Sequence, residues 1–211
     1  MKVTKSILAL FTLCLMFSCK KDDPAPTTTP TPLPTPTSTY YINYMSGGIS
    51  TSVQDQKSNY YMGSTSTGGF WATETLWLFL GAKIADINTT QLNGAEIGID
   101  NIIADGNTYN NDRQAAMGIY FSVGNHSFAS SATSTVGAFV KTDFLGEDLN
   151  TAYGDQTGST FTITETTALV DDFGNPQRKV KGTFSCKMYN SAGTFVKDYT
   201  SGSFYLIFDA Y

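Results

Sequence analysis

Apolar and polar residues alternate in short runs along most of the chain after residue 40. The clearest run is KVKGTFSCKMYN, residues 179–190, with lysine, threonine and serine side chains on one face of an extended chain. A strict period of two with a charged face predicts a half-exposed antiparallel strand. The residues expected on its buried face are Val180, Gly182, Phe184, Cys186 and Met188. We therefore expect Cys186 to behave as a small buried hydrophobic side chain.

Other runs of this kind predict further strands, separated by turn-forming sequences such as DDFGNPQR and NSAG. They are TLWLFLGAKI, AEIGIDNIIA, MGIYFSVG, HSFASS, TVGAFVKT, FTITETTALV and TFVKDYTSGSFYLIF. About nine to eleven strands at spacings of roughly 8–12 residues predict an all-β domain. We expect a single antiparallel β-sandwich over residues 40–211, with a barrel-like variant as the alternative. No strong amphipathic helix is expected, only a turn or two near Ile84–Leu92 or Leu145–Tyr153.

Residues 1–18 have the three-part plan of a secretory signal peptide. A basic start, MKVTK, precedes an apolar run of 12 residues and the small residue Ser18. An apolar run of this length is too short to cross a bilayer as a helix. The segment is therefore interpreted as an export signal that the mature protein lacks.

The sequence CLMFSC, which ends at Cys19, resembles a bacterial lipobox, although Met16 and Phe17 depart from its strict pattern. The resemblance implies that the chain is cut before Cys19 and that this residue carries acyl chains. Each buried methylene of such a chain contributes ~0.8 kcal/mol, so two or three chains bind a membrane almost permanently. The membrane is thus an expected partner, held through the lipid on Cys19.

The next four residues, Lys20, Lys21, Asp22 and Asp23, resemble the surface-export signal of lipoproteins in one group of Gram-negative bacteria. The resemblance implies an outer-membrane, lipid-anchored protein that is exposed at the cell surface.

The rest of residues 19–39 is a proline- and threonine-rich linker. Six of the seven prolines lie between Pro24 and Pro36. Such a tract has little apolar surface to bury and favours an extended polyproline-like chain. At ~3.1 Å per residue, Pro24–Thr39 would reach roughly 50 Å. We interpret it as a spacer between the lipid and the β domain.

The end of the chain resembles small β-sandwich domains of unknown function that are carried by bacterial surface lipoproteins. The shared feature is a pair of G-x-F strands, here Gly182-Thr-Phe184 and Gly202-Ser-Phe204. The resemblance implies a fold and a location, and it transfers no catalytic residues.

The charge of the protein disfavours nucleic acid as a partner. Loss of Lys2 and Lys5 with the signal peptide would leave 11 basic and 18 acidic side chains, a balance of −7. Phosphate backbones repel such a surface, and no basic stripe offsets the average.

No motif for catalysis or for a cofactor is evident. The single histidine, His126, lies in VGNHSF and is interpreted as a hairpin residue, and no G-x-S-x-G occurs. Zinc sites need several His or Cys ligands, so no metal site is assigned. Since no catalytic motif is recognised, no catalytic residue is assigned either. The four glutamates, Glu74, Glu96, Glu147 and Glu165, lie in no recognised motif. Two turns rich in Asp and Asn, Asp105–Asp112 and Gly146–Asp155, are the weak candidates for calcium.

Aromatic residues supply the remaining candidate chemistry. Trp71, Tyr60 and Tyr61 would form a stacking platform for sugar rings if they shared an exposed face, and Tyr40 and Tyr41 stand where the linker ends. The favoured function is a non-catalytic surface lipoprotein with a structural role or an interaction role toward a glycan or a surface protein. The alternative is a dedicated glycan-binding module of a carbohydrate-handling or adhesion system. An enzyme is the least favoured class.

Overall fold

A computed structural model describes residues 38–65, 67–71, 75–89, 92–105, 113–130 and 136–209. Antiparallel strand pairs dominate their backbone, as the alternating sequence predicts. The strands are β1 (Tyr41–Ser46), β2 (Ile49–Gln54), β3 (Tyr60–Ser64), β4 (Thr67–Trp71), β5 (Thr75–Asp86), β6 (Gly94–Asp105), β7 (Gly124–His126), β8 (Gly137–Phe144), β9 (Glu147–Asn150), β10 (Thr160–Val170), β11 (Pro176–Tyr189) and β12 (Phe195–Asp209). One short helix, α1 (Arg113–Tyr120), and a 3-10 turn, Thr151–Tyr153, complete the described elements.

The strands form one hydrogen-bonded path in the order β2-β1-β12-β11-β9-β8-β6-β5-β3, with β10 and β7 branching from β11. β3 and β4 are two segments along the same edge of β5, because Ser64 pairs with Ala82 and Thr67 pairs with Phe79 in one register. β12 contacts β5 and β3 across the interior, so the sheet folds over on itself. The predicted all-β, sandwich-like fold is confirmed, and the sheet is not closed into a barrel.

Two different strands, β10 and β9, pair with one edge of β11. β10 pairs with this edge as far as Ser185, and β9 pairs with it only at Tyr189. Between these points the side chain of Gln156 takes the place of a strand. Its Oε1 accepts from the amide of Lys187 at 3.1 Å, and its Nε2 donates to the carbonyl of Lys187 at 2.8 Å. This side-chain amide therefore satisfies the backbone of β11 between its pairing with β10 and its pairing with β9.

The predicted face of β11 is confirmed. Its five residues named from the period-two pattern are all buried, and the intervening lysine, threonine and serine residues are half-buried or exposed. Cys186 is 2 % exposed, and its thiol lies 3.7 Å from the sulfur of Met188. The interior also holds buried aliphatic and aromatic side chains from β1, β5, β6, β8, β10 and β12.

Reciprocal glycine–phenylalanine pairs lock β11 against β12. Gly182 pairs with Phe204, and Phe184 pairs with Gly202. A Cβ added to Gly182 would lie 2.6 Å from the Phe204 ring, and one added to Gly202 would lie 2.5 Å from the Phe184 ring. Each ring thus occupies the space that only a glycine on the neighbouring strand leaves open. The two G-x-F motifs are therefore complementary halves of one contact.

The same arrangement recurs in the other layer. Gly98 on β6 pairs with Phe139 on β8, and a Cβ on Gly98 would lie 2.6 Å from that ring. Phe139 also stacks on Phe79 of β5, with ring centroids 5.0 Å apart. Aromatic rings over glycines thus pair the strands in both layers.

A bulge in β12 places a polar contact inside the core. Phe184 pairs with Gly202 and Cys186 with Tyr199, so β12 has one extra residue in this interval. Ser201 there has a φ of +52°. Beyond the bulge, the Tyr199 ring points inward and stacks on the Tyr44 ring, with their centroids 4.0 Å apart. The hydroxyl oxygens of Tyr199 and Thr142 are hydrogen-bonded at 2.9 Å.

Two sequence-based expectations are corrected at α1. The run MGIYFSVG was expected to form a strand, and no amphipathic helix was expected, yet Met117–Tyr120 belong to the helix. Its buried residues, Ala116 and Met117, precede Phe121, whose ring lies 4.5 Å from Phe208. A helix of eight residues is stabilised mainly by tertiary packing. Its apolar stripe is also too short to be recognised in the sequence. In the run HSFASS, His126 ends β7 and Phe128 makes an isolated, parallel bridge to Ala138, while Ser131 lies outside the described residues.

The reciprocal pairing predicts a sharp difference between two glycine substitutions. Gly182→Ala should lower the free energy of unfolding by roughly 1–3 kcal/mol, because its Cβ would meet a core ring and a backbone oxygen. Gly63→Ala is the matched control in β3, where the added Cβ would meet only the end of Lys83 at 3.8 Å. Chemical denaturation of both variants measures the difference. Equal stability losses would contradict the proposed role of the glycine–phenylalanine contact.

Candidate functional site

The residues that the sequence assigns to lipidation and export, Cys19, Lys20, Lys21, Asp22 and Asp23, lie outside the described residues. The Asp/Asn-rich turn after Asp105 also lies outside them. In the described part of the chain, no helix is long and apolar enough to cross a membrane.

Of the three aromatic residues expected to form a sugar platform, the structure describes the side chains of Tyr60 and Tyr61, whereas that of Trp71 lies outside the described part of the chain. Tyr60 packs against the core, and burial, with the nearby charge of Asp86, raises the pKa of its hydroxyl. Tyr61, the next residue along β3, is 46 % exposed, as expected when neighbouring side chains point to opposite faces. Trp71 is ten residues from Tyr61 along the same edge of β5. Ten residues of extended chain span roughly 33 Å along the backbone, and the platform stays a prediction.

A different set of tyrosines does come together, on the outward face of β1 and β12. Tyr41 pairs with Tyr205, and the rings of Tyr40 and Tyr205 lie 5.7 Å apart between centroids. Phe204 and Leu206 on either side of Tyr205 are buried, so Tyr205 points away from the core. The sequence places Tyr40 and Tyr41 where the linker ends but contains no signal for Tyr205, because only sheet pairing joins opposite ends of the chain.

Two lysines of β11 lie beside this cluster. Lys181 pairs with Tyr205, and the Nζ of Lys179 lies 5.8 Å from the centroid of the Tyr205 ring. The ion pairs among the described residues join Lys141 to Asp148, Lys187 to Asp155 and Lys197 to Glu147. Neither Lys179 nor Lys181 takes part in any of these ion pairs.

Short polar side chains continue this outward face across the neighbouring strands. The belt runs through Ser52, Asn43, Ser203, Thr183, Thr162 and Asn125, which pair in register from β2 to β7. Asn43 is buried within the belt, whereas Thr183 and Asn125 are exposed and the others are half-buried. At its two ends, the Ser52 hydroxyl donates to Asn43 at 2.6 Å and the Thr162 hydroxyl donates to Asn125 at 2.7 Å. We call the tyrosine cluster, Lys179, Lys181 and this belt the outward face.

A groove of about 520 Å³ adjoins Tyr40 at the edge of the outward face. It is lined by Ser38, Thr39, Tyr40, Asp55, Gln56 and Lys57. The backbone amide of Asp55 donates to the carbonyl of Tyr40 at 3.0 Å, which holds the start of β1 against the turn after β2. The chain therefore leaves the linker directly beside an aromatic ring and a polar groove.

His126 lies in β7 between two clefts of about 560 and 410 Å³. Its Nε2 is 2.7 Å from the carbonyl oxygen of Ser122, and its ring meets the Phe161 ring edge-on at 6.4 Å. Among the described residues, the ring makes no hydrogen bond to a hydroxyl or a carboxylate. The contacts of His126 are those of a strand residue that packs over an aromatic ring.

The acidic side chains of the second calcium candidate are engaged separately. Asp148 pairs with Lys141 at 3.3 Å, and Asn150 accepts from the amide of Ala152 at 2.9 Å to cap the 3-10 turn. The hydroxyl and amide of Thr157 hold the pKa of Asp155 below its usual value. Within the described ranges, no group of three or more His, Cys, Asp or Glu side chains is placed to hold a metal ion.

The described glutamates are also dispersed over different strands. Glu96 on β6 is buried and accepts from the hydroxyl of Thr65, Glu147 on β9 binds Lys197 at 2.6 Å, and Glu165 on β10 is exposed. Glu74 lies outside the described residues.

The tip of the β8–β9 hairpin combines two unfavourable features in Leu145. Its side chain is fully exposed, and its φ is +56°, with Gly146 following at +85°. A two-residue loop with both φ values positive favours Asn-Gly. A leucine gains nothing from either the conformation or the exposure.

The fold and the outward face together define an all-β protein with a sandwich-like antiparallel sheet and one polar, aromatic surface. Comparisons of the chain with family models, with curated proteins and with solved structures found no match.

The strained leucine predicts that its replacement by asparagine stabilises the domain. Leu145→Asn should raise the free energy of unfolding by roughly 1 kcal/mol, because asparagine tolerates a positive φ. Leu145→Ala is the control, since it removes the exposed apolar side chain and keeps the backbone strain. Chemical denaturation compares the two variants. An equal gain in both would show that exposure, and not backbone strain, sets the effect.

Burial of Cys186 predicts that its thiol is unreactive in the folded protein. Desolvation, with the nearby charge of Asp198 adding to it, raises the pKa of this thiol above its usual range. Since the thiolate is the reactive form, alkylation should remain slow at pH values up to about 9 and become fast in denaturant. Peptide-resolved mass spectrometry after a timed pulse of iodoacetamide distinguishes Cys186 from Cys14 and Cys19. Rapid native labelling of Cys186 would contradict its placement in the core.

Proposed function

We propose that this protein is a lipid-anchored lipoprotein of the outer membrane, displayed at the cell surface, with a non-catalytic interaction role. The lipobox-like sequence before Cys19 and the charged residues after it support the anchor and its location. The linker that follows leads to Tyr41, the first residue of β1, where the described sheet begins. In this arrangement the lipid holds the protein at the membrane and the linker presents the β domain to its surroundings.

The observation that supports an interaction role most strongly is the outward face. It combines aromatic rings, two lysines outside the ion pairs and a belt of hydroxyl and amide groups beside the end of the linker. A sheet face that serves stability alone has no need of clustered tyrosines beside lysines that form no ion pair. The separate engagement of His126, Asp148 and Asp155 is the support for a non-catalytic role.

The anchor predicts that Cys19→Ala releases the protein from the membrane. Without an acylated cysteine the protein should move from the detergent phase to the aqueous phase on phase partition and should no longer incorporate labelled palmitate. Cys14→Ala is the matched control, because Cys14 would leave with the signal peptide, and it should keep the label. Protease digestion of intact cells should remove the wild-type β domain. Retention of Cys19→Ala in the detergent phase would exclude the anchor, and full protection from protease would exclude surface display.

A second candidate function is glycan binding, and the tyrosine cluster is the specific observation in its favour. Tyr40 and Tyr205 offer ring faces on an outward surface, and the hydroxyls of Ser203 and Thr183 beside them offer hydrogen bonds. Binding sites commonly combine aromatic surface with a few polar groups that fix orientation. This set is a second place where sugars would stack, besides the platform predicted at Trp71, Tyr60 and Tyr61.

A further inference from the structure

We propose that the outward face binds a polysaccharide carrying carboxylate or sulfate groups, with Lys179 and Lys181 contacting the acidic groups and Tyr205 stacking on a sugar ring. This inference rests on the glycan-binding function proposed above and adds the chemical class of the ligand. It also assigns the binding residues to β11 and β12, where no sequence motif indicated a site.

The spacing of the residues suits a linear polymer. Lys179 and Lys181 lie two residues apart on one face of β11, which corresponds to roughly 6.6 Å along the strand. Tyr205 is the register partner of Lys181 on the adjacent strand, roughly 4.8 Å away. The Tyr40 ring extends the aromatic surface by a further 5.7 Å between centroids. One ring-stacking position therefore lies within reach of two cations.

Two neighbouring lysines outside the ion pairs favour an acidic ligand. The whole chain has a net charge of −5, and of the lysines in the described ranges Lys141, Lys187 and Lys197 are paired with carboxylates, whereas Lys57, Lys83, Lys179 and Lys181 are not. Glu165 is the register partner of Lys181 on β10, yet the two form no ion pair. Asp209, at the end of β12, is bonded to Gln177 at 2.6 Å. Two lysines without ionic partners on an acidic protein attract anionic groups, and charge-assisted hydrogen bonds to them are the stronger kind.

The aromatic ring and the hydroxyl belt favour a sugar over other polyanions. The Nζ of Lys179 is already drawn over the Tyr205 ring, so a bound acidic group and a stacked ring would share one small area. Thr183 and Ser203 form the next cross-strand pair on the same face after Lys181 and Tyr205. Their hydroxyls can donate and accept hydrogen bonds, as sugar hydroxyls can. A nucleic acid would demand more cations along its backbone than this face contains.

The test measures retention of the full-length protein, purified in mild detergent, on gels that contain a defined polysaccharide. Polygalacturonate supplies carboxylates, chondroitin sulfate supplies sulfates together with carboxylates, and dextran is the neutral control. Single-stranded DNA supplies a phosphate polyanion that is not a polysaccharide. We expect retention by at least one acidic polysaccharide, weakened at least about tenfold between about 0.05 and about 0.5 M salt because screening shortens the reach of the lysines.

Matched variants locate the site. Lys179→Gln combined with Lys181→Gln should weaken retention about tenfold or more, whereas Lys197→Gln, whose lysine is paired with Glu147, should not. Tyr205→Ala should weaken retention, Tyr205→Phe should preserve it, and Phe195→Ala, which alters an exposed aromatic ring at the far end of β12, should leave it unchanged. Circular dichroism and thermal melting confirm that each variant is folded before binding is compared.

Each outcome bears on a different level of the proposal. Retention by an acidic polysaccharide that depends on Lys179, Lys181 and Tyr205 supports it, and the two acidic probes show whether carboxylate suffices. Retention by dextran alone overturns the acidic ligand and leaves glycan binding. Equal retention by DNA, or an equal effect of Lys197→Gln, overturns a sugar-specific site. No retention by any polysaccharide overturns glycan binding as well, while the lipid anchor is judged separately by phase partition of Cys19→Ala.

Discussion

The contact on which the described structure most depends is the reciprocal packing of two phenylalanines over two glycines between β11 and β12. Phe204 covers Gly182, and Phe184 covers Gly202. A shift of one residue in this register would move every side chain of one strand to the opposite face. The contact therefore determines which residues enter the core, and it places Lys179, Lys181 and Tyr205 together on the outside.

The remaining layers are joined to this hairpin by polar groups that satisfy the backbone where strands end. Gln156 continues the pairing of β11 between β10 and β9. Nearby, the Thr151 hydroxyl accepts from the amide of Val140 at 3.0 Å, inside the core. Each side chain bonds a backbone group that no neighbouring strand pairs with at that position. Such groups let one sheet turn into two packed layers without closing into a barrel.

The same division between faces organises the proposed function. The inner face is mainly apolar, with buried polar groups at Thr151 and at the contact of Tyr199 with Thr142, and it serves stability. The outer face has rings, lysines and hydroxyls whose value to folding is small, because exposed charges and hydroxyls contribute little to stability. A lipid at Cys19 and a linker that ends beside Tyr40 would present that face to ligands outside the membrane.

By itself, the sequence determined the fold class, the turns at DDFGNPQR and NSAG, and the inward face of β11, because the side-chain period of a strand is local. It also contained both G-x-F motifs without revealing that they contact each other. Only the tertiary structure decided that Tyr205 joins Tyr40 and Tyr41, since sheet pairing brings together residues from opposite ends of the chain. Likewise, α1 forms where a strand was expected, and Phe121, the residue after it, packs on Phe208 from the other end of the chain. Local patterns determine which face a residue occupies, whereas long-range pairing determines its neighbours, and binding surfaces are made of neighbours.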